Sequence, residues 1–184
     1  MKPLKSAALI AVAAVSALGL SACSAGQVSQ TATQVAAVDG AEKDSESGSI
    51  ALRDVTVLVN PDGTSALKFV AINQEKGQDA KTHRLQSISV DGKPVTFDAV
   101  PPLKPTGTLV ADSDEGIERH PQDEGAACTE YTATSLTNDD FAIGGNADVV
   151  FTFDSGTVEV TATIAAPTPV SGEFHREFDD RAAH

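Results

Sequence analysis

Apolar and polar residues alternate along most of the chain from residue 50 onward, a period of two that is typical of strands with one buried face. The clearest example is a hairpin in which strands at 147–153 and 157–165 flank a turn at 154–156. No segment has the period of an amphipathic helix. The pattern predicts seven to eight short strands, and therefore an all-β fold: an antiparallel β-sandwich of immunoglobulin-like or cupredoxin-like type.

The first predicted strand, residues 50–59, contains a break in its alternation. Its apolar positions change phase after Arg53 and Asp54, which indicates a β-bulge near Asp54. A turn sequence at 60–63 with proline and glycine then leads into the second strand. The segment 112–130 is acidic and contains three glycine or proline residues, so we predict a loop there rather than a helix. The other strands are expected at 66–73, 85–90, 95–97, 108–111 and 131–136.

The N-terminus has the pattern of a bacterial export signal. Two lysines precede an uncharged apolar run at residues 6–20, which is shorter than the roughly 20 residues that span a bilayer. Leu20-Ser21-Ala22-Cys23 follows and matches the lipobox, in which cleavage precedes a cysteine that carries the lipid. We therefore predict a lipoprotein signal peptide at residues 1–22, with palmitate on Cys23 and the protein anchored on the extracytoplasmic face of the cell membrane. The alternative is a cleaved signal peptide without lipid.

Composition divides the rest of the chain into three parts. Residues 23–49 are rich in small polar side chains and are predicted to be a flexible linker. Residues 50–166 form the β-domain, and residues 167–184 form a charged tail that we expect to be mobile. Without residues 1–22 the formal charge changes from -13 to about -15, which disfavours nucleic acid as a partner because a polyanion requires a basic surface.

Cysteine and histidine positions leave a metal site open. With Cys23 assigned to the lipid, Cys128 is the only other cysteine, so no internal disulfide can form. The commonest state of such a thiol is buried and inert, and a nucleophile, a metal ligand or an intermolecular bridge are the alternatives. Cys128 and His120, across the acidic segment, are the best candidate pair for a metal ion. The remaining histidines lack ligand spacing and are interpreted as scattered surface residues: His83, His175 and His184.

The acidic segment also offers a candidate cation loop. Asp112, Asp114 and Glu115 precede Gly116, but this glycine is fifth in the run, whereas an EF-hand loop requires it at position six. Weak binding of a cation outside the EF-hand geometry is one reading, and a solvated acidic loop is the other. The chain has no serine or cysteine motif of a known hydrolase type, so we predict no enzymatic activity and no cofactor.

The stretch 25–40, followed by Ile50–Val59 with its Ala51-Leu52-Arg53-Asp54 start, resembles the actinobacterial LpqE-like lipoproteins. That resemblance implies an envelope lipoprotein of mycobacteria or corynebacteria, with a β-sandwich related to periplasmic copper chaperones of the PCu(A)C type. Those chaperones bind Cu(I) through paired His and Met side chains. Met1 is the only methionine here and is removed with the signal peptide, so the sequence departs from the copper motif.

Together these observations favour a membrane-tethered envelope lipoprotein that acts as a non-enzymatic binding or regulatory module. Its expected partners are the membrane, through the lipid, and an envelope protein. The alternative is a metal-handling protein whose site differs from that of the PCu(A)C chaperones.

Overall fold

The computed structural model describes residues 40–120, 128–138 and 140–168, all of which belong to one compact unit. These residues form ten strands and one short helix. The elements are β1 (Ala41–Asp44), β2 (Ile50–Val59), β3 (Ser65–Asn73), β4 (Leu85–Val90), β5 (Lys93–Pro94), β6 (Thr96–Phe97), β7 (Thr108–Asp112), α1 (Asp114–Arg119), β8 (Thr129–Ser135), β9 (Asn146–Phe153) and β10 (Gly156–Ala165).

All ten strands belong to one sheet. Their order is β5-β4-β9-β10-β2-β3-β7-β8-β6, and β1 pairs with β2 beside this path. The two end strands, β5 and β6, are separated in the chain only by Val95, so the sheet nearly closes on itself. The all-β prediction is therefore confirmed.

Two strand pairs run parallel, β2 with β10 and β7 with β8. The antiparallel direction that we predicted is therefore wrong for these two pairs and correct for the other seven pairs of described strands. The reason is physical: alternation reports which face of a strand is buried and is the same for either chain direction. The direction of a pair is set by the connection between the strands, which here includes α1 between β7 and β8.

The core lies on the inward face of this sheet, where the alternating apolar residues meet. Phe69 on β3 and Phe151 on β9 are fully buried and pack edge to face, with ring centroids 5.0 Å apart and planes at 75°. Almost every residue of β2 is buried on either side of the bulge, because β3 covers one edge and β1 and β10 share the other.

The predicted bulge in β2 is confirmed at Asp54. Its φ is 53°, and the register with β3 shifts between Arg53 and Thr56. β1 pairs with β2 on both sides of the bulge, with a register shift of its own, whereas β10 pairs only with Thr56, Val57 and Leu58 after it. Gly40 packs directly on the bulge at φ 97°, where a Cβ would lie 2.6 Å from the Asp54 Cα, so only glycine fits.

Two segments differ from the prediction. Ala41–Asp44, at the end of the predicted linker, forms β1. Asp114–Arg119, in the predicted loop, forms α1, with Ser113 as N-cap and its hydroxyl accepting the Gly116 N–H at 3.1 Å. A six-residue helix without a buried side chain is too short to show an amphipathic period, which explains why the pattern missed it.

Several predictions lie outside the described residues. These are the signal peptide at 1–22, the lipidation site Cys23, the linker up to residue 39, and the tail beyond residue 168 with His175 and His184. Within the described residues, no helix has the length and apolar character required to cross a membrane.

Candidate functional site

A cleft of about 440 Å³ opens beside the β2 bulge, and we call it the bulge cleft. Strands β2, β3 and β10 form its floor, α1 forms one wall, and Gly40 and residues 165–168 form its rim. Its charged and titratable lining consists of Asp54, Lys68, Asp112, Glu115, Arg119 and His120. Leu58, Ala165, Ala166 and Pro167 contribute apolar surface. The cleft therefore combines apolar surface with several charged groups.

Asp54 is presented to the cleft by the bulge itself. The extra residue in β2 interrupts the ladder, and the Asp54 carboxylate reaches the Lys68 ammonium on β3 at 2.7 Å. Arg53, its neighbour, contacts β1 instead, with Nη1 2.6 Å from the Asp44 carboxylate. The two charged residues of the bulge thus serve different contacts, and only Asp54 lines the cleft.

Asp112 ends β7 and is 7% exposed, an unusual position for a carboxylate. Its Oδ1 accepts the Ser113 N–H at 2.7 Å, and its Oδ2 is 3.8 Å from His120 Nε2. The carboxylate lies against Gly116 of α1, where any Cβ would overlap it. The first turn of α1 therefore folds over Asp112, and the glycine makes the space for it.

The predicted cation loop is a helix, so its three acids do not converge as loop ligands would. Asp112 ends β7, whereas Asp114 and Glu115 form the exposed first turn of α1. Glu115 accepts a hydrogen bond from Arg119 at 3.1 Å, an i,i+4 pair along the helix. Acidic residues in a first turn favour the helix dipole, which accounts for their position without a bound cation.

The structure does not bring Cys128 and His120 into one site. Cys128 is exposed, so its expected burial is wrong, and its carbonyl accepts the Thr108 N–H at the start of β7. His120 instead contacts Asp112, at the far end of β7, and its ring centroid is 6.4 Å from that of Tyr131. Among the described residues, no group of three or more His, Cys, Asp or Glu side chains is arranged to hold a metal ion.

A second polar cluster was missed by the sequence reasoning. His83 is only 5% exposed, so its interpretation as a surface histidine is wrong. Its Nε2 lies 2.9 Å from Glu75 Oε1, and its Nδ1 lies 3.5 Å from Asp154 Oδ1. We call Glu75, His83 and Asp154 the His83 cluster; it borders a cavity of about 690 Å³ near the β9–β10 turn.

The His83 cluster holds the loop between β3 and β4 in place. Glu75 also accepts the Lys81 N–H, and these contacts lower its pKa, with the backbone hydrogen bond from Lys81 as the larger cause and the hydrogen bond with His83 as the next. The His83 ring thus lies between two carboxylates, with a hydrogen bond to Glu75 and a longer contact to Asp154. One signal could have found this residue, since extending the alternation of β4 back from Leu85 places His83 on the buried face.

No protein-family model matches the chain, and comparison with curated proteins gives no match either. The resemblance to LpqE-like lipoproteins therefore stays a prediction.

Proposed function

We propose that this protein is a membrane-tethered lipoprotein of the cell envelope that binds a protein partner in the bulge cleft and catalyses no reaction. Cys23 carries the lipid in this account, on the extracytoplasmic face, and the sheet is arranged as a β-sandwich of immunoglobulin-like or cupredoxin-like type. One observation carries the proposal: Gly40, which lies within the predicted tether, lines the bulge cleft.

The position of Gly40 limits how far the cleft can be from the membrane. Seventeen peptide steps separate Cys23 from Gly40, and a fully extended chain spans about 60 Å over that length. Gly40 lines the cleft, so this span sets an upper limit on the distance between the anchor and that part of the cleft. A partner in or on the same membrane is then the occupant most readily reached.

The pairing of the polar lining supports binding rather than catalysis. Asp54 is paired with Lys68, and Glu115 with Arg119. The Ser113 hydroxyl accepts the Gly116 N–H as a helix cap, and no hydrogen bond joins it to His120 among the described contacts. A catalytic serine requires a base within hydrogen-bond reach. A lining whose charges are held in ion pairs and whose serine caps a helix is better suited to positioning a ligand.

Two threonines on β10 provide a matched test. Thr163 lines the bulge cleft, whereas Thr157 lies near the β9–β10 turn, and both are exposed. A photo-crosslinking amino acid is introduced at either position of the full chain, and cells are irradiated before the membrane fraction is analysed. We expect a discrete protein adduct from position 163 and none from position 157. Absence of an adduct at 163, or equal adducts at both positions, would contradict the proposal.

A further inference from the structure

Among the described residues, one acidic group of the bulge cleft has no Lys or Arg partner. Asp54 and Lys68 are 2.7 Å apart, and Glu115 and Arg119 are 3.1 Å apart, so these four charges cancel in pairs. Asp112 remains, with the His120 ring 3.8 Å away, which is too long for a hydrogen bond. Among the described carboxylates of the lining, Asp112 is therefore the one without a Lys or Arg partner.

Asp112 is also short of hydrogen-bond donors for a buried carboxylate. Its two oxygens together can accept about four hydrogen bonds. Among the described contacts, the Ser113 N–H is the one donor within hydrogen-bond distance of them. Although Asp112 is only 7% exposed, neither of its oxygens is a buried atom without a partner, so its second oxygen stays reachable from the cleft. The group is suited to receive donors from a ligand.

We propose that the bulge cleft binds the guanidinium or ammonium group of an arginine or lysine side chain of the partner, with Asp112 as the counter-charge. This rests on the proposed function, whose partner it describes chemically. Such a group supplies charge and N–H donors together, and charge-assisted hydrogen bonds are roughly twice as strong as neutral ones. A cavity of about 440 Å³ is large enough for either side chain.

The rest of the lining fits the same ligand. Leu58, Ala165 and Pro167 provide apolar surface for the aliphatic stem of a lysine or arginine, which packs well on such residues. Lys68 and Arg119 would repel an incoming cation if they were unpaired, but each is held by a carboxylate. The formal charge of -13 for the whole chain adds long-range attraction for a basic partner surface.

Asp112→Asn tests the counter-charge with little change in shape. The amide oxygen of Asn can still accept the Ser113 N–H, so α1 keeps this contact. Asp98→Asn is the matched control, because it removes the same charge from an exposed position outside the cleft. In the full chain with the crosslinker at position 163, we expect the adduct yield to fall roughly tenfold with Asp112→Asn, the loss of one charged hydrogen bond, and to stay unchanged with Asp98→Asn.

Competition in isolated membranes identifies the chemistry. N-acetyl-arginine amide should reduce the adduct from position 163, and the uncharged analogue N-acetyl-citrulline amide should not. An adduct that survives Asp112→Asn, or equal competition by both probes, would overturn the cation assignment while the proposed partner binding stands. No adduct with the unmodified Asp112 would instead refute the proposed function itself. Competition by Zn(II) or Cu(I) alone would point to a metal site and would also overturn the assignment.

Discussion

Asn73, the last residue of β3, connects three segments of the chain through its side chain and is fully buried. Its amide nitrogen donates to the carbonyls of Lys81 and Leu103 at 2.8 and 3.0 Å, and its amide oxygen accepts the Glu75 N–H at 3.0 Å. Two segments depend on these bonds: the loop between β3 and β4, which carries Glu75 and His83, and residues 100–105, which include three prolines. Asn73→Ala removes all three at once.

The loss of unfolding free energy depends on whether each former hydrogen-bond partner of Asn73 can find another partner. The carbonyl of Leu103 still accepts the His83 N–H at 3.0 Å, so it is not left without a bond. The Lys81 carbonyl and the Glu75 N–H are only partly buried and can reach water. Each lost bond then costs its net value of about 0.5–1.5 kcal/mol, and the variant should lose about 2–4 kcal/mol of unfolding free energy.

Urea denaturation of the full chain, followed by far-UV circular dichroism, measures this loss. Asn60→Ala is the control, because the Asn60 amide donates to the Thr64 hydroxyl in an exposed turn, and its loss should cost less than about 1 kcal/mol. If Asn73→Ala and Asn60→Ala were equally stable to within about 0.5 kcal/mol, Asn73 would not organise the loop and the reasoning would be refuted.

Three further predictions concern the loop, the core and the anchor. Because the pKa of Glu75 is lowered in the folded protein, its contribution to stability is present above the ordinary glutamate pKa of about 4.3 and is lost as the pH falls through the lowered pKa. Glu75→Gln should therefore reduce the loss of unfolding free energy at acidic pH, as measured by urea denaturation across pH. Phe151→Ala should cost about 3–5 kcal/mol, and a double-mutant cycle with Phe69→Ala should give a coupling of about 0.5–1.5 kcal/mol; additive losses would contradict the edge-to-face contact. Alkyne-palmitate labelling should disappear with Cys23→Ser and persist with Cys128→Ser, whereas the reverse result would place the lipid on the wrong cysteine.

Strands were predictable wherever one face of the strand is buried, because burial on alternate residues leaves a period of two in the sequence. The bulge at Asp54 was predictable for the same reason, since an inserted residue shifts that period. Strand β1 could not be predicted, because its four residues include no buried side chain. It is held by the backbone ladder to β2 and by the Arg53–Asp44 ion pair.

The candidate site was predictable only in fragments. Asp112 and His120 were named from their chemistry, but as a cation loop and half of a metal pair. In the structure both residues line the bulge cleft, because α1 folds back over the end of β7. The bulge in β2 adds the Asp54–Lys68 pair to the same cleft. Contacts among residues that are distant in the chain leave no local pattern, and therefore the cleft could not be inferred from spacing.

One crosslinking comparison tests the lipid anchor and the bulge cleft together. Crosslinking from position 163 is compared between the full chain and its Cys23→Ser variant, with position 157 as the control in both. We expect a single protein adduct from position 163, clearly weaker without the lipid because the cleft is no longer held at the membrane, and none from position 157. An adduct of equal yield with and without the lipid, or adducts at both positions, would contradict a membrane-tethered binding cleft.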